Sequence, residues 1–200
     1  MLHTLVNTFP DFCITALVRT PEHASSLHTT YPGLTTIIGT LDSRELLMCE
    51  AAKADVVLHA SNADHAAGAF SLLDGLNSKS SIDKGLFIHV SGAASLIDLT
   101  CVDPGNPERV WSDIDDAVDI YHLPKNRLHV GIERRLMKDS ERFGVKTIIL
   151  APPMILPSGT GVGKQDSYQN LFARAIMQTG YPFVRRVGSR VVPNTLTTDR

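Results

Sequence analysis

Short apolar runs punctuate the chain. Phe12–Val18 follows the turn signal Phe9-Pro10-Asp11, and Thr35–Gly39, Asp55–Ala60, Leu86–Ser91 and Lys146–Ala151 come after it in order. Each run is rich in apolar and β-branched residues, which reads as a strand. The runs are mostly continuous rather than alternating, the pattern of strands buried on both faces of a parallel sheet. Segments of helical period lie between them. Leu2–Thr8 precedes the first run. Asp42–Ala52 opens on Asp42 with Glu45 three residues later, the spacing of a capping box. Ala63–Leu76 sets Ala66, Ala69, Phe70, Leu73 and Leu76 on one face. Leu128–Phe143 does the same with Leu128, Ile132, Leu136 and Phe143, and stops at Gly144. Strand and helix alternate, so the pattern predicts an α/β fold, a doubly wound parallel sheet with helices on both faces.

After Ala151 the character changes. Pro152, Pro153, Pro157, Gly159, Gly161 and Gly163 make a long irregular stretch, followed by one helical segment at about Gln165–Thr179 and a tail without pattern.

Composition narrows the function classes. With 43% hydrophobic residues, 20% charged and a net charge of −2, the chain has material for a core and does not fit a disordered segment. No run approaches the ~20 apolar residues of a membrane span, and no secretory leader is visible at Met1. The densest basic pairs, Arg134/Arg135 and Arg185/Arg186, are too small for a nucleic-acid surface. Cys13, Cys49 and Cys101 are scattered and odd in number, which suits reduced thiols and a cytoplasmic protein. Neither they nor the eight histidines have metal-ligand spacing, so no metal is expected. Gly159–Lys164 departs from a phosphate loop, with Ser158 at the first glycine position and Gln165 after the lysine. Asp113, Asp115, Asp116 and Asp119 read as a solvated turn or helix start.

Doubly wound sheets bind ligands beyond the carboxyl ends of their strands. The residues there are Arg19-Thr20-Pro21, Thr40-Leu41-Asp42, Ser61-Asn62, Ser91-Gly92 and Pro152-Pro153-Met154. Small, polar or conformationally special residues recur at all five ends.

Four blocks carry a resemblance. ITALVRTPEHASSL (14–27), GTLDSRELLMCEAAKADVVLHASNADH (39–65), LFIHVSGAASL (86–96) and VKTIILAPPMILPSGTG (145–161) resemble successive parts of the extended or atypical short-chain dehydrogenase/reductases. The flavour is that of the epimerase/dehydratase and NmrA-like groups, and the similarity runs from about Leu2 to Gly188. It implies a Rossmann-like NAD(P)-binding domain over 1–155 and the start of a substrate-binding region over 156–200. Arg19 would meet a 2′-phosphate and favour NADP, with NAD possible; a guanidinium suits a phosphate dianion. Leu41 and Asp42 would lie at the adenine, with Asp42 equally fit to cap a helix. Ala60, Ser61 and Asn62 would pass the adenine ribose and pyrophosphate, and Pro152-Pro153 the nicotinamide.

The same resemblance implies a first strand and a G-x-x-G-x-x-G turn before the helix at Leu2. Neither is seen in this sequence, so the expectation is a sheet lacking its central strand, with a gap between the runs at Phe12 and Asp55 and millimolar or weaker dinucleotide binding. The family's Tyr-x-x-x-Lys pair has one match, Tyr121 and Lys125, with Pro124 inside the turn of helix it would need. The helix from Leu128 carries His129, Glu133 and Arg134 instead. Ser91 stands at or beside the family's catalytic serine. The functions implied are an NADP-dependent oxidoreductase or epimerase/dehydratase relative acting on a small molecule, a non-catalytic NmrA-like dinucleotide sensor, or an inactive fragment.

Overall fold

The computed structural model describes residues 1–96, 110–153 and a few single positions from 174 to 180. Its elements are α1 (Leu2–Thr8), β1 (Thr15–Val18), α2 (Pro21–Thr30), β2 (Thr35–Ile38), α3 (Arg44–Lys53), β3 (Val56–His59), α4 (Ala66–Asn77), β4 (Leu86–Val90), α5 (Ala117–Tyr121), α6 (Val130–Phe143) and β5 (Lys146–Leu150). Every expected strand forms, each shorter than its apolar run. Phe12 and Cys13 fall outside β1 and are exposed; the Phe12 ring stacks on Phe9 with centroids 4.9 Å apart. The loop region proposed as a second unit, the helical segment near 165–179 and the Gly159–Lys164 stretch lie outside the described residues, single positions aside.

Local chemistry sets the helix ends. Thr20 accepts the His23 N–H and Pro21 occupies the first turn of α2, where a missing N–H costs nothing. The capping box expected at Asp42 does not form. Ser43, not Asp42, is the N-cap of α3, and its hydroxyl accepts the Thr40 N–H at 3.0 Å instead of a helix N–H; the Asp42 carboxylate meets His65. α6 ends at Gly144 in the left-handed region, φ 69°, as a glycine cap requires.

All strand pairs are parallel. β1 pairs β2 from Thr15↔Thr35 to Val18↔Ile38. β3 pairs β4, and β4 pairs β5, with Val57↔Phe87↔Thr147 and His59↔His89↔Ile149 in register. The sheet divides between β1 and β3, the place expected to be open, and among the described residues each of these strands keeps one edge without a ladder partner.

The core sits on one face of the three-stranded sheet. Val57 and Phe87 meet Ala69, Leu73 and Leu76 of α4 and Leu136 of α6 there. The opposite face differs from the expectation of strands buried on both sides. Val56, Ile148 and Leu150 are about half exposed, at 50%, 44% and 47%. A continuous apolar run shows that both faces are able to bury; it does not specify what covers them.

α3, whose Leu46 lies against Gly39 at the end of β2, packs along α4. Gly75 makes that approach possible. A Cβ there would overlap the Met48 carbonyl oxygen and come within 2.7 Å of the Ala51 Cβ.

Candidate functional site

The parallel strands bring the predicted residues to the carboxyl ends of the two half-sheets. Arg19 follows β1 and is exposed, with no ion pair or hydrogen bond among the described residues. Its donor fork is therefore free for a phosphate, the test of fit to a dinucleotide that this end of the sheet offers.

The β3–α4 turn organises the next group. The Asn62 carboxamide oxygen accepts the Asp64 N–H at 3.1 Å, and the His65 N–H donates to the Asn62 carbonyl at 3.1 Å. That turn aims two side chains. His65 Nδ1 accepts the Gly68 N–H at 3.1 Å and so caps α4. With Nδ1 used as an acceptor, Nε2 carries the proton and donates to Asp42 at 3.1 Å. Asp42, placed by sequence at an adenine, is thus tied across to α4. Leu41 packs on Gly68, where a Cβ would meet the Leu41 Cβ at 3.0 Å. Ala60, Ser61 and Asn62 are exposed beyond β3.

Beyond β4 the ladder continues past the strand. The Ser91 N–H donates to the Leu150 carbonyl at 2.7 Å and the Ala93 N–H to the Pro152 carbonyl at 3.0 Å. Ser91 is thereby fixed beside Pro152, with Pro153 next along. The Ser91 hydroxyl donates to Glu133 of α6. Burial pushes the Glu133 carboxyl above the usual carboxylate range, an effect that the serine bond and the nearby His129 oppose.

His129 is the N-cap residue of α6 and adopts φ 66°, a left-handed backbone that costs a non-glycine residue on the order of 1–3 kcal/mol. Its Nδ1 meets the Asp64 carboxylate at 2.7 Å. Its Nε2 points toward Gly92, where a Cβ would lie 3.3 Å away. Asp64 was not singled out from sequence. Nothing local marks it; it meets His129 across 65 residues of chain.

Behind this group lies a buried imidazole pair. His59 and His89 are 3% and 0% exposed, with Nδ1 to Nδ1 at 2.9 Å and rings stacked at 4.9 Å. Each Nε2 is buried without a partner among the described residues. Burial first, and the neighbouring His89 second, lower the His59 pKa to about 4. Burial also lowers that of His89, with His129 adding to the effect. The signal in the sequence was present: both histidines stand fourth in their strands, and β3 and β4 pair residue for residue.

Tyr121 and Lys125 are placed elsewhere. α5 ends at Tyr121, and Pro124 lies outside any helix, as its ring requires. Both residues are exposed and line an open groove of about 510 Å³ along α6 with Arg134, Arg135, Lys138 and Arg142. The Arg134 guanidinium sits 5.7 Å from the Tyr121 ring centroid. Among the described residues no hydrogen bond joins either to Ser91. Asp113, Asp115 and Asp116 lie in a turn leading into α5, with Ser112 bonded to Asp115 and Asp116. Cys13 and Cys49 are free and exposed. Among the described residues no helix is long and apolar enough to cross a membrane, and no group of three or more His, Cys, Asp or Glu forms a metal site.

With this geometry in hand, the likeness to a solved dehydratase decides the fold. A double mutant of DesIV, a dTDP-glucose 4,6-dehydratase from Streptomyces venezuelae crystallised with NAD and DAU bound, superimposes with a TM-score of 0.56 at 14% identity, over 92% of this chain and 59% of the dehydratase. The fold is Rossmann-like. A short-chain dehydrogenase/reductase from Vibrio parahaemolyticus gives a TM-score of 0.49 at 11% identity, over 96% of this chain and 89% of its own. The curated oxidase UcsJ of an Acremonium species is 26% identical over 126 residues, which is 62% of this chain and 36% of the oxidase. The chain thus spans little more than half of the dehydratase and about a third of the oxidase. No family model matches.

Proposed function

We propose that the chain is the dinucleotide-binding part of an oxidoreductase of the extended short-chain dehydrogenase/reductase type, cytoplasmic and acting on a small alcohol or carbonyl compound. The observation that carries the proposal is the convergence of Arg19, Asp42, Ser61, Asn62, Ser91, Pro152 and Pro153 at strand ends in a fold shared with an NAD-bound dehydratase. Arg19 would hold the 2′-phosphate of NADP, Leu41 and Ala60–Asn62 the adenosine, and Pro152-Pro153 would flank the nicotinamide. When bound, the nicotinamide supplies hydride donor and acceptor chemistry. Ser91 and Glu133 stand where the reacting oxygen of a substrate would be oriented.

A second reading is a non-catalytic dinucleotide sensor. It is favoured by the siting of Tyr121 and Lys125 in the groove along α6 rather than beside Ser91.

NADP preference has a direct test. Arg19→Ala should weaken NADPH binding about tenfold or more, the worth of a charge-assisted bond of about 1.5–3 kcal/mol, and leave NADH binding nearly unchanged. Ligand-detected titration of both variants measures this. Equal losses for the two dinucleotides would remove the phosphate role.

A further inference from the structure

We infer that His129, oriented by Asp64 and open toward Gly92, is a proton-exchange centre for a hydroxyl or carbonyl oxygen presented at the carboxyl end of β4. The inference rests on reading the strand ends as a dinucleotide-dependent site, and gives that site an acid/base group that the Tyr121–Lys125 placement leaves it without.

Three features of the structure converge on it. First, Asp64 meets Nδ1 at 2.7 Å. A carboxylate only accepts, so Nδ1 carries the proton and the lone pair stands on Nε2. Second, Nε2 has no hydrogen-bond partner among the described residues, and the residue it faces is Gly92: a Cβ there would lie 3.3 Å from Nε2, in the space a ligand oxygen would need. Third, the imidazole is held and not merely present. Its backbone is at φ 66°, its side chain is 17% exposed, and it stands as N-cap of α6. Such strain persists only where the surroundings over-determine the conformation.

The neighbouring groups suit the task. Ser91, one residue before Gly92, gives its proton to Glu133 and keeps its lone pairs for a second donor. A ligand hydroxyl lying against Gly92 would have its proton within reach of Nε2. In the exchange the ligand O–H bond breaks, its electron pair stays on oxygen, and the proton forms an N–H bond on Nε2. The resulting imidazolium faces the Asp64 carboxylate, which remains ionised and offsets its charge. In the reverse direction the same N–H bond breaks and the proton returns to the ligand oxygen. His129 is the catalytic residue of this centre and Asp64 a positioning residue.

Carbethoxylation with diethyl pyrocarbonate, mapped residue by residue in the full chain at neutral pH, reads the Nε2 lone pair directly. His122, exposed at the end of α5, is the internal reference. His129 is expected to react at least about tenfold faster in the wild type than in Asp64→Ala, where nothing holds the proton on Nδ1. Gly92→Ala, which leaves Asp64 in place and covers Nε2, should slow His129 by a similar factor. Long-range ¹H–¹⁵N correlation adds a signature that a purely structural Asp64 would not give: the Nδ1–H tautomer in the wild type and in Gly92→Ala, and its loss in Asp64→Ala. A His129 no more reactive in the wild type than in Asp64→Ala, or an Nε2–H tautomer in the wild type, would overturn the inference. NADPH titration of the same samples separates it from the reading it rests on. Fast, Asp64-dependent reaction without NADPH binding would sink the dinucleotide reading and leave the proton-exchange centre standing.

Discussion

Acidification from pH 6.5 to pH 4 is expected to remove about 3 kcal/mol of folding stability through His59 alone. His59 is 3% exposed and its pKa in the fold is about 4. In the unfolded chain an imidazole takes up a proton below about 6.5. Between these values the unfolded state binds the proton and the folded state does not. The stabilisation is therefore complete above pH 6.5 and is lost as pH falls toward 4. The size follows from about 2.5 units at roughly 1.4 kcal/mol each. Against a domain stability of about 5–15 kcal/mol it is a large share. Glu133 acts with the opposite sign. Its raised pKa means that the fold keeps a proton which the unfolded carboxyl releases, so that contribution is present in acid and fades as pH rises above 4.5. Urea unfolding from pH 4 to 7.5 in the wild type and in His59→Gln, whose amide still offers His89 a partner, isolates the effect. The variant should lose the His59 share of the acid-side slope and keep that of His89, and an unchanged slope would show that His59 does not contribute to it.

Gly75→Ala is expected to cost about 3 kcal/mol. The added methyl group would overlap the Met48 carbonyl oxygen and press the Ala51 Cβ. Backbone in a helix cannot move aside as a flexible side chain does, so α3 must shift off α4, at the upper end of the usual overpacking range of about 1–3 kcal/mol. Among the described residues, α3 against α4 is the most extensive helix–helix packing. Gly33→Ala is the control. No atom lies within 4 Å of a Cβ there, and its stability should match the wild type within about 0.5 kcal/mol. Equal unfolding midpoints for both variants would contradict the packing argument.

Sequence and structure agree where the signal is local. The β5 run and the α6 stripe of Ile132 and Leu136, ended by Gly144, were legible because strand composition, helical period and glycine caps act over a few residues. The gap between β1 and β3 was legible through the resemblance. The uncovered face of Val56, Ile148 and Leu150 was not, since burial there depends on what lies against the sheet. Much of the site was hidden for the same reason. Ser91 finds Glu133 across 42 residues, His129 finds Asp64 across 65, and Asp42 finds His65 across 23. No local pattern encodes such pairings. Asp42 is an example: its capping-box spacing was real, but the helix starts one residue later, at Ser43, and the Asp42 carboxylate meets His65 of the same chain instead.

A nicotinamide dinucleotide held as proposed would lie along the carboxyl ends of the strands. Amide chemical-shift mapping of the ¹⁵N-labelled chain, titrated with NADPH to about millimolar levels, the range in which the polar anchors at these ends would bind, tests it most directly. Shifts are predicted at Arg19, Asp42, Ser61, Asn62 and Ser91, with Lys138 and Arg142 in the groove along α6 unaffected. Shifts confined to that groove, or none at any residue, would contradict the account.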